Sequence, residues 1–139
     1  MDTDVVLAKL DSLQRYVSRV EEKTPSNFEV LKDDYDLQDI ISLNLGRAIQ
    51  ISVDIAAHIL STKDTSTPAT MGEAFTALSE VDVISAELAE RLRKAVGFRN
   101  ISVNEYEKID WEIVFSNCTK HMKDFREYAA GVLAYYNID

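Results

Sequence analysis

Apolar residues at Val6, Leu10, Leu13, Val17 and Val20 recur at alternating spacings of three and four, which predicts a helix from Thr3 to Lys23 with one buried stripe. Thr24-Pro25-Ser26-Asn27 ends it, and Phe28 to Leu31 reads as a short turn. The carboxylates of Asp33-Asp34-Tyr35-Asp36 then favour the start of a second helix through its dipole. Its main stripe is Leu37, Ile41, Leu45, Ala48, Ile51, Ile55 and Ile59, and Ile40, Leu43, Ile49 and Val53 widen the apolar surface. A helix this apolar is expected at the centre of a bundle or at a dimer interface. Gly46, Ala48, Ser52, Ala56 and Ala57 are small enough to admit a neighbouring backbone, or serve as ordinary packing.

Ser61 to Ala69, rich in Thr and Ser and containing Pro68, is the most loop-like segment. Thr70-Met71-Gly72-Glu73 fits a capping box ahead of a short helix bearing Phe75 and Leu78. Another start at Ser85 predicts a helix from Ala86 towards Phe98, with Leu88, Leu92, Ala95 and Val96 inward and Arg91, Arg93 and Lys94 outward or sideways. Asp110 caps a last long helix carrying Ile113, Val114, Cys118, Phe125, Ala129, Val132 and Tyr136. No alternating strand pattern of useful length occurs. The expected fold is all-α, an up-and-down bundle of four main helices plus a short extra helix, in a single domain over residues 1–139.

Charge narrows the function. Fifteen Lys and Arg against 24 Asp and Glu give a formal net charge of −9, which excludes a generally basic nucleic-acid binder and restricts any RNA contact to a local patch. The basic cluster is Arg91, Arg93, Lys94 and Arg99. The acidic start Met1-Asp2-Thr3-Asp4 lacks the basic region of a signal peptide, no apolar run approaches spanning length, and Cys118 has no partner for an internal disulfide. These features point to the cytoplasm.

The chemically richest stretch is Phe98-Arg99-Asn100-Ile101-Ser102-Val103-Asn104-Glu105-Tyr106, where a basic helix gives way to a polar turn. It resembles the HEPN superfamily, and within it the HepT-like ribonuclease toxins, which carry R-N-x-x-x-H-x-Y near a helix end. Leu37-Gln38-Asp39, the stretch from Ala48 to Leu60 with Asp54-Ile55-Ala56-Ala57-His58-Ile59, and the order of elements over nearly the whole chain share the resemblance.

The resemblance implies the toxin of a toxin–antitoxin pair: a metal-independent endoribonuclease acting as a homodimer on cellular RNA such as tRNA, without a cofactor. It also implies a cognate MNT nucleotidyltransferase antitoxin, encoded beside it, that transfers AMP from ATP to the tyrosine matched by Tyr106. In such a mechanism Arg99 stabilises the phosphate charge, Asn100 orients a phosphate or caps the helix, and the histidine position moves protons. Arg91, Arg93 and Lys94 are RNA-binding candidates.

Position 104 departs from the pattern. An asparagine amide has no usable pKa and cannot shuttle a proton, and losing such a group costs on the order of 10²–10⁴ in rate. The chain as written is therefore expected to be impaired: a naturally degenerate member, or an active toxin whose histidine was replaced, the latter favoured by the otherwise intact motif. The alternative is a non-enzymatic HEPN-like helical module that binds a nucleotidyltransferase, with residues 99–106 as a docking or modified loop.

Other candidates have plainer readings. His58, four residues after Asp54, could share a metal with it but more simply makes a helix-face hydrogen bond. His121 is read as exposed or partly packed. Asp33, Asp34 and Asp36 lack the ligand spacing of a calcium loop. Cys118 reads as a small core or interface hydrophobe rather than a nucleophile, and Tyr128, Tyr135 and Tyr136 as packing or interface groups.

Overall fold

The computed structural model describes residues 2–64 and 66–137, with the side chain of Asp2 outside the description. Parts of the expectations for the N-terminal start and the 61–69 loop, at Met1, the Asp2 side chain and Thr65, lie outside the described residues. Seven α-helices follow one another among the described residues: α1 (Asp2–Lys23), α2 (Phe28–Asp33), α3 (Tyr35–Ser61), α4 (Met71–Glu80), α5 (Ala86–Asn104), α6 (Trp111–Lys120) and α7 (Lys123–Tyr135). A single 3-10 turn, Tyr106–Lys108, joins α5 to α6.

The long apolar helix α3 is the axis, packed by α1, α2, α4 and α5. Ile41, Leu45, Ala48, Ile55 and Ile59 of the expected stripe are buried, as are Ile49 and Val53 on the widened face. Leu43 differs, standing 52% exposed. By length and hydropathy α3 could span a membrane, contrary to the reading that no apolar run comes close, but half of that window is buried inside the bundle. Its apolarity serves the core. On α1 the whole predicted stripe, Val6 through Val20, is buried.

Local signals set the helix boundaries. Asn27 accepts from the Val30 amide and starts α2, a true helical turn where only a turn was expected. Asp34 accepts from Leu37 and starts α3. The buried amide of Gln38 donates to the carbonyls of Leu31 and Lys32, closing the end of α2 against α3. Thr70 caps Glu73 as the capping box requires, but the Glu73 carboxylate returns to the Ala69 amide, one residue before Thr70.

Two expectations at the C-terminal end are corrected. The last helix is not continuous: at His121–Met122 the hydrogen bonds shorten, with the amides of Asp124 and Phe125 donating to the carbonyls three residues back. The break turns Asp124 inward at the first turn of α7, where Arg91 holds its buried carboxylate. Ile113, assigned to the buried stripe, is 59% exposed on α6, and its neighbour Val114 takes the core position.

Candidate functional site

The α5 helix does not stop at Phe98. It carries Arg99 through Asn104 as its last turns, and the Glu105 amide closes it by donating to the Ile101 carbonyl. Residues 99, 102 and 103 are spaced i, i+3 and i+4, so Arg99, Ser102 and Val103 point to one side of α5, and the 3-10 turn after the helix brings Tyr106 to the same groove. They line a groove of about 460 Å³ whose opposite wall is α3, through Asp39, Ser42, Leu43, Gly46 and Arg47. Helices α3 and α5 meet here at Gly46, where an added Cβ would lie 3.8 Å from the Ser102 hydroxyl. That is ordinary contact, so glycine is compatible with the approach but not demanded by it.

Tyr106 is fixed from two sides. Its hydroxyl donates to Asp39 Oδ1 at 2.6 Å, and its ring meets Trp111 edge-on with centroids 5.9 Å apart. Burial pushes the phenol above its ordinary pKa; the hydrogen bond and the charge of Asp39 push in the same direction, and a hydrogen bond with Ser42 opposes them. Tyr106 as a whole remains 38% exposed.

The motif residues are thus only partly gathered. Arg99 and Tyr106 share the groove, with the Arg99 carbonyl receiving the Ser102 hydroxyl at 2.9 Å. Asn100 is exposed and touches the Arg99 guanidinium at 3.5 Å. Asn104 is exposed at the end of α5 and is not among the residues lining the groove. Five residues at 100° each place it about 140° around the helix from Arg99.

Arg91, Arg93 and Lys94 lie further up α5, away from the groove. Arg91 spends its charge on Asp124 at 3.0 Å and on Glu127 at 3.3 Å, cross-linking α5 to α7. Arg93 pairs with Glu90 at 3.5 Å, and an added Cβ on Gly72 would come within 2.9 Å of its stem. Lys94 is exposed beside a second cavity shared with Arg91, Phe98 and His121. His121 lies 4.0 Å from the buried Asp124 carboxylate. Asp54 accepts from Gln50 at 3.0 Å.

Periodicity gave no functional signal for Asp39, Ser42 or Arg47: each reads as one more polar residue on an apolar helix. A cue existed in Leu37-Gln38-Asp39, which belongs to the resembling stretch.

Comparison with known proteins decides the family. The family described as Ribonuclease HepT-like matches residues 13–132. The chain belongs to the HepT-like ribonuclease family. It is 30% identical over 125 residues to the mRNA nuclease HepT of Shewanella oneidensis, covering 90% of this chain and 93% of the relative. It is 25% identical to the tRNA nuclease HepT of Aphanizomenon flos-aquae, covering 94% and 89%. Among solved structures, a tri-AMPylated Shewanella oneidensis HEPN toxin in complex with its MNT antitoxin is 30% identical with a TM-score of 0.88, covering 94% of this chain and 98% of that one. A toxin–antitoxin complex with AMP-PNP gives 29% and 0.89 over the same shares. The cytosolic protein YutE of Bacillus subtilis shares the fold alone, at 11% identity and a TM-score of 0.84.

Proposed function

We propose that this chain is the toxin of a toxin–antitoxin pair, a metal-independent RNase of HepT type. Its MNT nucleotidyltransferase antitoxin silences it by transferring AMP to Tyr106. The observation that carries the reading is the groove lined by Arg47, Arg99 and the exposed Tyr106, whose hydroxyl meets Asp39. Two arginines lining one cleft suit the charge that builds on an RNA phosphate during cleavage. AMP on Tyr106 would remove the proton shared with Asp39 and bring a phosphate to the same two arginines, filling the place the RNA backbone needs.

Asn104 stands at the proton-transfer position of the family motif, and it leaves this chain impaired in cleavage while retaining the groove and the tyrosine. As Asn104 lies around the helix from Arg99, a complete site is assembled between two protomers. Leu43 and Val103, 52% and 62% exposed on the groove's rims, supply apolar surface for that homodimer. Arg93 and Lys94 extend the basic face of α5 for RNA beyond the groove, and the pair works in the cytoplasm. The asparagine is also the observation that favours the second reading, a non-enzymatic module that binds a nucleotidyltransferase.

The deciding experiment restores the histidine. Asn104→His, expressed without the antitoxin, is expected to arrest growth and cut RNA, and Arg99→Ala in that background to abolish both. A harmless histidine-restored chain leaves the binding-module reading. tRNA, expected from the resemblance, and mRNA, named for the Shewanella relative, form separate arms of the cleavage assay.

A further inference from the structure

Tyr106 and Asp39 are separated by 67 positions, yet their side chains meet at 2.6 Å. That is the length of a hydrogen bond from a hydroxyl to an ionised carboxylate, roughly twice as strong as a neutral one. The contact joins the α5–α6 connection to α3 and is placed by the fold rather than by local sequence. We propose that Asp39 is the proton acceptor when AMP is transferred to Tyr106, so that the modified chain itself supplies a catalytic group to the reaction. The inference rests on Tyr106 being the acceptor.

The chemistry requires such a group. A phenol is a weak nucleophile while protonated, and phenols titrate near 10; burial and the Asp39 charge hold this one higher still. In the transfer, a lone pair of the Tyr106 hydroxyl oxygen forms a bond to the α-phosphorus of ATP. The bond from that phosphorus to the oxygen bridging to the β-phosphate breaks, and its electron pair leaves with pyrophosphate. The phenolic proton passes along the existing hydrogen bond to the Asp39 carboxylate and from there to water. Arg47 from α3 and Arg99 from α5 line the same groove and are the cations at hand for the charge that builds on the phosphate. Asp39 is itself exposed, so the proton has an exit.

The pH dependence of the transfer separates proton acceptance by Asp39 from positioning of the ring. The charged groups that share the groove with Tyr106 are Asp39 and Arg47 on α3 and Arg99 on α5; Glu105, Glu107 and Lys108 are its neighbours in the chain, the last paired with Glu105 at 3.4 Å. Carboxylate, guanidinium and ammonium groups ordinarily titrate outside pH 6 to 9. A slope in that window therefore reports the tyrosine proton.

The test uses the full chain with ATP, Mg²⁺ and the nucleotidyltransferase encoded beside it. AMP incorporation is followed by intact mass, each variant's initial rate being divided by that of the parent at the same pH. Asp39→Asn is expected to lower the rate by on the order of 10²–10⁴ at pH 7. Its ratio to the parent should rise about tenfold per pH unit, because only the spontaneously ionised phenol reacts. Asp39→Glu should recover part of the rate without that slope. An unchanged rate for Asp39→Asn overturns the proposal; so does a lowered rate with a flat ratio, which is the signature of positioning alone. Loss of complex formation by Asp39→Asn on size-exclusion chromatography would assign Asp39 to docking and overturn it as well. Tyr106→Phe labelled as fast as the parent removes the acceptor itself, and the proposal falls with it through a result the Asp39 variants do not produce.

Discussion

Arg91 on α5 lies 3.0 Å from the buried carboxylate of Asp124, which sits in the first turn of α7 immediately after the break in the C-terminal helix. The Asp124 side chain is 8% exposed, and Arg91 is its closest cationic partner. Asp124 also gains from the free amides and dipole of a helix start. Arg91 thus acts as the clamp that locks the end of the bundle against the helix bearing the candidate site. Arg91→Ala is expected to cost about 2 kcal/mol, because the carboxylate stays buried without its partner. Thermal unfolding should begin roughly 5–8 °C lower. Glu127→Ala removes only an exposed contact and should change the melting temperature little. Equal losses for the two variants would show that Asp124 does not depend on Arg91.

Cys118 yields a prediction of opposite character, in which burial suppresses chemistry. It lies on α6 against the core, and desolvation pushes its thiol up to about 11, slightly opposed by a hydrogen bond with Thr24. At pH 8 only about one thiol in a thousand is ionised, so DTNB should react slowly with the folded chain and promptly after denaturation. The folded thiol holds its proton more tightly than the unfolded one. Its contribution to stability is therefore complete below about pH 9 and is lost as pH rises towards 11. Denaturant melts across that range should show a loss that is smaller in Cys118→Ala; identical curves would dissociate the loss from this thiol.

Short-range rules recovered much of the fold. The stripe on α1, the caps at Asp34, Ser85 and Asp110, and the wide apolar face of α3 are decided by residues three or four positions apart. Sequence spacing is the controlling variable there. It failed at His121–Met122, where no proline or glycine marks the break and the Asp124 carboxylate beyond it is met by Arg91, 33 positions away. The site divides along the same line. Arg99 and Tyr106 stand out because they lie in one motif, whereas Asp39 and Arg47 belong to the groove only because α3 packs across α5. The Tyr128 hydroxyl is a similar case: it donates to the Ser52 carbonyl across 76 positions at 2.7 Å, deep in the core, where no local pattern could place it.

That contact is testable by itself. Tyr128 is fully buried, edge-on to Phe75 with centroids 5.8 Å apart. Tyr128→Phe keeps the ring packing and removes one donor, for an expected loss of about 1 kcal/mol, since the Ser52 carbonyl keeps its helical environment. Tyr128→Ala also opens a cavity and should cost about 3–5 kcal/mol. Chemical denaturation midpoints that fail to separate the two would indicate that the space collapses.

Arg47 is a charged groove residue that the sequence pattern did not single out. In the Asn104→His background, Arg47→Ala is expected to lower RNA cleavage about tenfold, a smaller loss than the abolition expected for Arg99→Ala. Arg47→Lys should recover little, because a point charge does not reproduce the fork that grips two phosphate oxygens. Cleavage rates of purified chains on one labelled RNA decide this, with melting temperatures confirming that the exposed substitution leaves the fold intact.

The histidine restored at position 104 carries a further consequence that reports the assembly of the site. Position 104 is exposed, so a histidine there should titrate near the ordinary 6.5. Strand cleavage needs one group to accept the 2′-hydroxyl proton and another to donate one to the leaving oxygen. If two protomers each contribute position 104, one histidine must be neutral and the other protonated, and that combination is most populated at their shared pKa. Cleavage by the restored homodimer should therefore follow a bell centred near pH 6.5 and fall on both sides. A single histidine acting only as base would instead give a rate that rises with pH and levels off. Mixing histidine-restored chains with an excess of the Asn104 parent sharpens the measurement. Mixed dimers then hold one histidine, so the bell should shrink in proportion to the restored homodimer while total protein is constant; a rate that tracks the restored chain linearly, with no loss on mixing, would place a full site within one protomer.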